Sequence, residues 1–295
     1  MWRLALGALV AATLLNSAGA QEPGPLPPGW VEDGRGCRVH DPNARALGEP
    51  EARLGFVWSG TCEQGMASGK GELQWYRDGK PTDRYEGEYR DGMRNGHGVF
   101  VTPSGGRYEG EYTDDKPEGH GVYVTANGDR YDGDWIGGHA NGRAVVTFAN
   151  GNRYEGDYRN DKPSGNGVFT NANGSRYEGH FKNGKRDGHG TYALANGDRY
   201  DGEFKDDRQT GRGTYSFANG DRYEGEFKDG RQTGHGVYVW ANGDRYEGEW
   251  LDDQANGQGT FTGGDAQVYA GDWVKGCFKE GERRAAVGRA LADCP

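Results

Sequence analysis

A unit of 23 residues recurs eight times in immediate succession, starting at Tyr85. Position 1 of every unit is Tyr, positions 3 and 12 are Gly, and position 5 is aromatic. Position 14 is Gly except at Ala144, and position 16 is aromatic except at Val146. A repeat in constant register indicates that each unit is one structural module that packs against its neighbours. The units, numbered 1 to 8 below, begin at Tyr85, Tyr108, Tyr131, Tyr154, Tyr177, Tyr200, Tyr223 and Tyr246.

Each unit shows the alternation of a β-strand. Positions 1 to 5 read, with few exceptions, aromatic, acidic, Gly, acidic, aromatic, which is the pattern of an extended chain with two unlike faces. A second strand is predicted over positions 12 to 18, and the polar stretch between the two, such as residues 90–95, is expected to be the hairpin loop. The sequence therefore predicts an all-β fold, an elongated single-layer antiparallel meander of stacked β-hairpins.

The parity of the side chains predicts the register of this sheet. Units are joined by sequences such as Ala-Asn-Gly at residues 126–128. A two-residue Asn-Gly turn would divide the aromatic residues between both faces. A three-residue loop instead pairs position 16 with the next Tyr, 14 with the next Gly and 12 with the next aromatic residue. Within a unit, pairing position 5 with position 12 likewise sets 3 opposite 14 and 1 opposite 16, so the bulged three-residue loop is the predicted connection.

One face of this sheet, which we call the ring face, carries positions 1, 3, 5, 14 and 16. It combines a ladder of aromatic rings with a central ladder of glycines on which the rings can lie. A single-layer sheet has no other core, so these rings are expected to form the core and to contact a ligand in addition. The candidate binding residues are Tyr85, Tyr89, Tyr108, Tyr112, Tyr131, Trp135, Tyr154, Tyr158, Tyr177, Phe181, Tyr200, Phe204, Tyr223, Phe227, Tyr246 and Trp250.

The opposite face, which we call the polar face, carries Arg at position 23 of units 1 to 7 and mostly acidic residues at positions 2 and 4. Position 4 is expected to face position 13 of the same unit, in solvated pairs that serve register and solubility. The expected pairs are Glu88 with His97, Glu111 with His120, Asp134 with Arg143, Glu203 with Arg212, and Glu226 with His235.

Catalytic and metal chemistry find little support on the polar face. Glu86 and Glu88 have the spacing of about 7 Å used by inverting glycosidases, but the same pair recurs along an open face with no pocket to raise one pKa. His180 is expected to face His189, and two imidazoles with Asp157 of the neighbouring unit are an alternative metal site. Surface histidines are more often solvated, so we predict no catalytic residue, metal or cofactor.

The pattern Tyr-x-Gly-x-aromatic, followed six residues later by Gly-x-Gly-x-aromatic, resembles the repeat of the MORN family over about residues 56–276. A degenerate unit with Trp58 and Gly60 precedes the regular ones, and a truncated unit with Tyr269 and Trp273 follows them. The resemblance implies stacked β-hairpins and a non-catalytic module that binds or organises other molecules. It also implies two alternatives for the family, self-association through the groove of the array and association with membrane phospholipids.

The two ends of the chain predict export and capping. Residues 1–20 have the charged start, apolar run and small-residue exit of a secretory signal peptide, against the alternative of an uncleaved anchor. Residues 21–57 are expected to be a Pro/Gly-rich linker and N-terminal cap, 58–276 the MORN array with its eight regular units from 85 to 268, and 277–295 a C-terminal helical cap. Local disulfides, Cys37 with Cys62 and Cys277 with Cys294, are favoured over a metal site.

The net charge restricts the partners. The chain has a formal charge of −10, or −11 without residues 1–20, so it repels nucleic-acid phosphates and disfavours anionic lipid surfaces. The sequence therefore predicts an exported scaffold, periplasmic or secreted, whose ring face binds a protein partner or a second copy of the chain. A cell-envelope glycan and a phospholipid membrane are the alternatives.

Overall fold

The computed structural model describes residues 26–41 and 54–294. The predicted signal peptide and residues 21–25 and 42–53 of the predicted linker and cap lie outside the described residues. The strands are β1 (Trp30–Glu32), β2 (Arg38–His40), β3 (Leu54–Trp58), β4 (Thr61–Glu63), β5 (Met66–Arg77), β6 (Lys80–Arg90), β7 (Met93–Val101), β8 (Arg107–Thr113), β9 (Lys116–Val124), β10 (Arg130–Ile136), β11 (His139–Thr147), β12 (Arg153–Arg159), β13 (Lys162–Thr170), β14 (Arg176–Lys182), β15 (Lys185–Ala193), β16 (Arg199–Lys205), β17 (Arg208–Ser216), β18 (Arg222–Lys228), β19 (Arg231–Val239), β20 (Arg245–Leu251), β21 (Gln254–Thr262), β22 (Val268–Val274), β23 (Cys277–Glu280) and β24 (Arg283–Ala286).

These strands form one open sheet in which each strand from β5 to β24 pairs antiparallel with the next. At the N-terminal edge β3 and β4 both pair with β5. The β1–β2 hairpin joins β5 through one parallel bridge, Arg38 to Met66. The predicted all-β, single-layer meander of hairpins is confirmed.

The connection between units is the predicted three-residue loop. After unit 1, the Thr102 N–H donates to Gly106 O at 2.8 Å, and the Gly105 N–H donates to Thr102 O at 3.0 Å. Gly105 has a φ of +94°, which a side chain adopts only with strain. The pairing of Phe100 with Tyr108 places position 16 opposite the next Tyr, as predicted.

The hairpin turn within each unit differs from the prediction. In unit 1, Arg90 pairs with Met93, so the loop is the dipeptide Asp91-Gly92 and not residues 90–95. Both turn residues have positive φ, 50° and 75°, the mark of a type I′ turn. All eight units carry Asp, Asn or Gly at positions 7 and 8, the residues that tolerate this conformation, and this signal was missed.

The same turn shifts the register inside the unit. Tyr89 pairs with Arg94 and not with Gly96, so position 5 faces position 10, and the predicted pairing with position 12 is wrong. Gly87 still pairs with Gly98, so three residues of β7 oppose one of β6 in a bulge. Because the bulge inserts two extra residues, the parity is kept and the rings remain on one face.

The predicted C-terminal helix is also wrong. Residues 277–286 form strands β23 and β24, and the only helical element of the described part of this segment is a 3₁₀ turn at Leu291–Asp293. Trp273 packs on Phe278 with ring centroids 5.4 Å apart, so pairing at the sheet edge outweighs the helical preference of this Ala- and Arg-rich segment. Disulfides close both ends, with Cα atoms 5.8 Å apart for Cys37–Cys62 and 5.6 Å for Cys277–Cys294.

Candidate functional site

The floor of the ring face is a ladder of position-1 tyrosines lying on glycine. Tyr200 is fully buried and its hydroxyl donates to Glu203 O at 3.1 Å. Its ring covers the paired Gly202 and Gly213, and a Cβ added to either would come within 2.7 Å of atoms of the Tyr200 side chain. A side chain at positions 3 or 14 would therefore lift the ring from the sheet.

Successive rings meet edge to face along the whole array. Tyr200 contacts Phe204 of its own unit at 5.2 Å between centroids and Phe227 of the next unit at 5.0 Å, with interplanar angles of 89° and 85°. The same two contacts recur from unit 1 to unit 8 and reach Trp273. Each such pair contributes about 0.5–1.5 kcal/mol beyond its buried area.

This packing decides the accessibility of the predicted binding residues. Of the sixteen residues at positions 1 and 5, fourteen are buried, and only Trp135 and Tyr158 are partly buried. The structure brings these residues together in one ladder, but that ladder is the buried core of the sheet. The accessible aromatic residues are instead at positions 16 and 18, and position 18 was absent from the prediction. They are Phe100, Tyr123, Phe148, Phe169, Tyr192, Tyr215, Phe217, Tyr238, Trp240 and Phe261.

The accessible rings form a continuous row in the C-terminal half. Between ring centroids, Phe217 lies 4.5 Å from Tyr215 and 5.7 Å from Tyr238. In the same measure, Trp240 lies 4.5 Å from Tyr238 and 5.8 Å from Phe261. We call these five residues the aromatic row. All are half-buried, so one side of the row is open to contact. A signal for them existed, since positions 14, 16 and 18 must share a face in any strand.

An arginine packed among aromatic rings lies at the edge of the ring face formed by the type I′ turns, which we call the turn edge. The Arg186 guanidinium lies over the rings of Tyr177, Tyr192 and Phe204, at 5.6, 5.0 and 5.1 Å from their centroids. Asp207 Oδ1 accepts from the Arg186 backbone N–H at 3.0 Å and from its Nε at 3.2 Å. Arg186, Asp207, Tyr177 and Tyr192 line a depression of about 350 Å³ that also includes Phe169. Sequence reasoning missed this site because position 10 was assigned to a loop.

On the polar face the bulge removes the expected pairs. Position 13 lies opposite position 4 of the next unit, as in His97 opposite Glu111. Within a unit the position-4 carboxylate accepts instead from the backbone of the bulge, as Asp157 Oδ2 does from the Asn166 N–H at 2.9 Å. The following predicted pairs are therefore not directly opposite in the sheet: Glu88 with His97, Glu111 with His120, Asp134 with Arg143, Glu203 with Arg212, and Glu226 with His235.

The expected His180–His189 pair is separated in the same way. His180 lies opposite Asn166, and its Nδ1 is 2.7 Å from Asp187 O. His189 lies opposite Glu203. Within residues 26–41 and 54–294 no group of three or more His, Cys, Asp or Glu side chains is placed to hold a metal ion.

The two polar-face glutamates considered for catalysis are in exposed ion pairs. Glu86 Oε2 lies 3.0 Å from Arg84 Nη2, and Glu88 Oε1 lies 3.1 Å from Lys70 Nζ. All four side chains are more than two-fifths exposed, which is the setting of weak, solvated pairs.

An open sheet of repeated hairpins, with a buried ring ladder and accessible aromatic residues along it, defines a β-repeat scaffold. The chain belongs to the MORN repeat family. The model of that family matches residues 85–107, 108–130, 131–153, 154–176, 177–199, 200–222, 223–245 and 246–267, which together exceed half of the chain. The predicted family is confirmed.

Comparison with solved structures finds distant likeness. The TCP domain of SAS-4 (dCPAP) from Drosophila melanogaster, solved with a proline-rich motif of Ana2, is 12% identical, with 60% of this chain and 85% of that chain covered, at a TM-score of 0.30. The TCP10 domain of Danio rerio CPAP is 14% identical, with 64% and 89% covered, at 0.37. TM-scores of this size carry no functional information. No curated protein matches the sequence significantly.

Two observations bear on location. Both disulfides suit an oxidising environment. None of the helical segments in the described part of the chain has the length and hydropathy to cross a membrane.

Proposed function

We propose that this protein is an exported, non-enzymatic scaffold that binds a protein partner across the accessible part of its ring face. The signal-peptide pattern of residues 1–20 and the two disulfides support export. The aromatic row is the observation that carries the binding proposal. Half-buried rings presented on a rigid sheet lose little conformational freedom when a partner covers them, and aromatic residues dominate protein interfaces for that reason.

The test compares ring-face residues that directly follow β17 and β19 with a polar-face residue within β19. We expect Phe217→Ser with Trp240→Ser to weaken binding of an envelope-protein partner about tenfold or more. Val237→Ser, a half-buried residue of the polar face, is the matched control and should leave binding unchanged. Binding screens against envelope proteins, with light scattering to detect self-association, supply the measurement. If the wild-type chain binds no protein and no second copy, the proposal is withdrawn.

A cell-envelope glycan is a second candidate, favoured by the aromatic row because sugar rings stack on aromatic side chains. The same Ser substitutions distinguish it when soluble envelope glycans replace proteins in the screen. Association with phospholipid is the weaker alternative, since the net charge of −11 without residues 1–20 opposes anionic headgroups. Vesicle flotation across a salt series checks it.

A further inference from the structure

The array has a second period of two units, visible at the type I′ turns. Position 8 is Gly in the odd units and Asp in the even units. Each of these Asp side chains accepts the backbone N–H of position 10 in the preceding unit, at 2.8–3.0 Å. The turn edge thus carries four related sites, each made of Gly at position 8, a residue at position 10, and Asp at position 8 of the next unit. The four Asp residues are Asp115, Asp161, Asp207 and Asp253.

The first and third sites share the same chemistry and nearly the same geometry. Arg94 bonds to Asp115 Oδ1 through its backbone N–H at 2.9 Å and its Nε at 3.2 Å, as Arg186 does to Asp207 at 3.0 and 3.2 Å. Each guanidinium lies over three rings, those at positions 1 and 16 of its own unit and the one at position 5 of the following unit. For Arg94 these rings are Tyr85, Phe100 and Tyr112, at 5.9, 5.4 and 5.2 Å.

The first site is occupied by the β1–β2 hairpin of the same chain. His40 Nδ1 lies 2.7 Å from Asp115 Oδ2, and the His40 backbone N–H donates to Gly92 O at 2.8 Å. The indole of Trp30, cross-strand neighbour of His40, packs on Gly92 so closely that a Cβ there would lie 2.6 Å from it. The hairpin leaves the Asp115 side chain only 4% exposed.

The third site offers the same groups without such a cover. The Asp207 side chain is 48% exposed, and no described residue donates to its Oδ2. A Cβ added to Gly184, the counterpart of Gly92, would meet nothing closer than Pro163 Cδ at 4.0 Å. The other two sites differ, because Ala140 replaces the arginine at the second, where His139 engages Asp161, and Gln232 replaces it at the fourth.

We propose that Gly184, Arg186 and Asp207 form a docking site for a β-hairpin of a partner protein that presents a histidine and an aromatic residue as cross-strand neighbours, as His40 and Trp30 are. The partner imidazole donates to Asp207 Oδ2, its backbone N–H donates to Gly184 O, and its aromatic ring covers Gly184. The proposal rests on the proposed function, because it supplies the chemistry of the partner. The chain's own hairpin is tied to its first site by the Cys37–Cys62 bridge, which favours a different protein as occupant.

The experiment selects ligands for the intact chain from a display library of β-hairpin peptides. We expect the selected peptides to be enriched in histidine directly opposite an aromatic residue on the other strand of the hairpin. Asp207→Asn keeps the oxygen that holds Arg186 and replaces only the open acceptor, so binding should weaken about tenfold or more, as should His→Ala in the peptide. Asp253→Asn, the same change at the fourth site, is the matched control and should leave the affinity unchanged. Thermal melting verifies that both variants remain folded.

Three results would overturn the inference: selection without enrichment of histidine, an affinity that Asp207→Asn does not change, or equal losses in Asp207→Asn and Asp253→Asn. The proposed function is judged separately, on the Phe217 and Trp240 substitutions. Partner binding that depends on Trp240 but not on Asp207 would therefore reject this site and retain the scaffold.

Discussion

At the scale of single residues, the array depends on the contact between a tyrosine ring and two backbones without side chains. Unit 3 departs from the pattern at two positions, because Val146 also replaces the aromatic residue opposite Tyr131. It carries Ala144 in place of Gly at position 14, and its Tyr131 is 9% exposed, the highest value among the eight position-1 tyrosines. The glycines of the ladder are thus required by close approach of the ring, while those of the turns are required by their φ.

Gly213→Ala should therefore destabilise the chain by about 1–3 kcal/mol, because the new Cβ would lie 2.5 Å from Tyr200 Oη in a packed core. Gly264→Ala is the control, since its nearest neighbour would be 3.6 Å away and its φ is not in the left-handed region. Thermal unfolding measures both. Equal melting temperatures for the two variants would refute the role of the glycine ladder.

The same tyrosines make stability sensitive to alkali. Burial raises the pKa of Tyr177 to about 12 and that of Tyr246 to about 12, against about 10 in an unfolded chain. The folded chain then holds phenol protons that the unfolded chain loses, so this stabilisation is complete below about pH 10 and disappears as the pH rises through about 12. Circular dichroism with tyrosinate absorbance should show unfolding and ionisation together. Ionisation of all tyrosines near pH 10 with the fold intact would contradict this expectation.

At the scale of elements, two turns of different design alternate along the sheet. The three-residue loop between units was predictable from parity. The alternation of side chains does not reveal the type I′ turn and its bulge, because two extra residues leave the parity of every ring unchanged. Their signal is local, in the Asp, Asn and Gly residues that tolerate positive φ at positions 7 and 8.

The type I′ turns allow the docking of the N-terminal hairpin to be measured. Gly92→Ala and Gly184→Ala place the same side chain at the same position, with φ of +75° and +83°. Only the first meets Trp30, so we expect it to cost about 1–3 kcal/mol more than the second and to release the β1–β2 hairpin. Tryptophan fluorescence and thermal unfolding report the difference. Indistinguishable variants would show that Trp30 contributes nothing at Gly92.

At the scale of the whole molecule, the sheet is quasi-one-dimensional, because each unit contacts only its neighbours and the ends must be closed. The N-terminal end is closed by β1 to β4 and a disulfide, and the C-terminal end by β23, β24 and a second disulfide. Damage at one end should therefore remain local, whereas in a globular domain it would spread through a shared core.

Removing the Cys277–Cys294 bridge, which spans 17 residues, should cost about 3 kcal/mol in the chain-entropy model. In the variant with both cysteines changed to serine, we expect hydrogen exchange to increase in β22 to β24 while units 1 to 6 keep their protection. Uniform loss of protection across the array would instead indicate one cooperative core.

The spacing of Tyr and Gly in the sequence was enough to predict the sheet, the shared face of the rings and the loop between units, because side chains alternate with a period of two in any strand. The accessibility of each ring depended on neighbouring units, since a position-5 ring is covered by tyrosines of two units, whereas the position-16 and position-18 rings lie to one side of that ladder. The C-terminal strands and the uncovered Arg186 site were decided in the same way, by which groups the assembled sheet brings within contact distance.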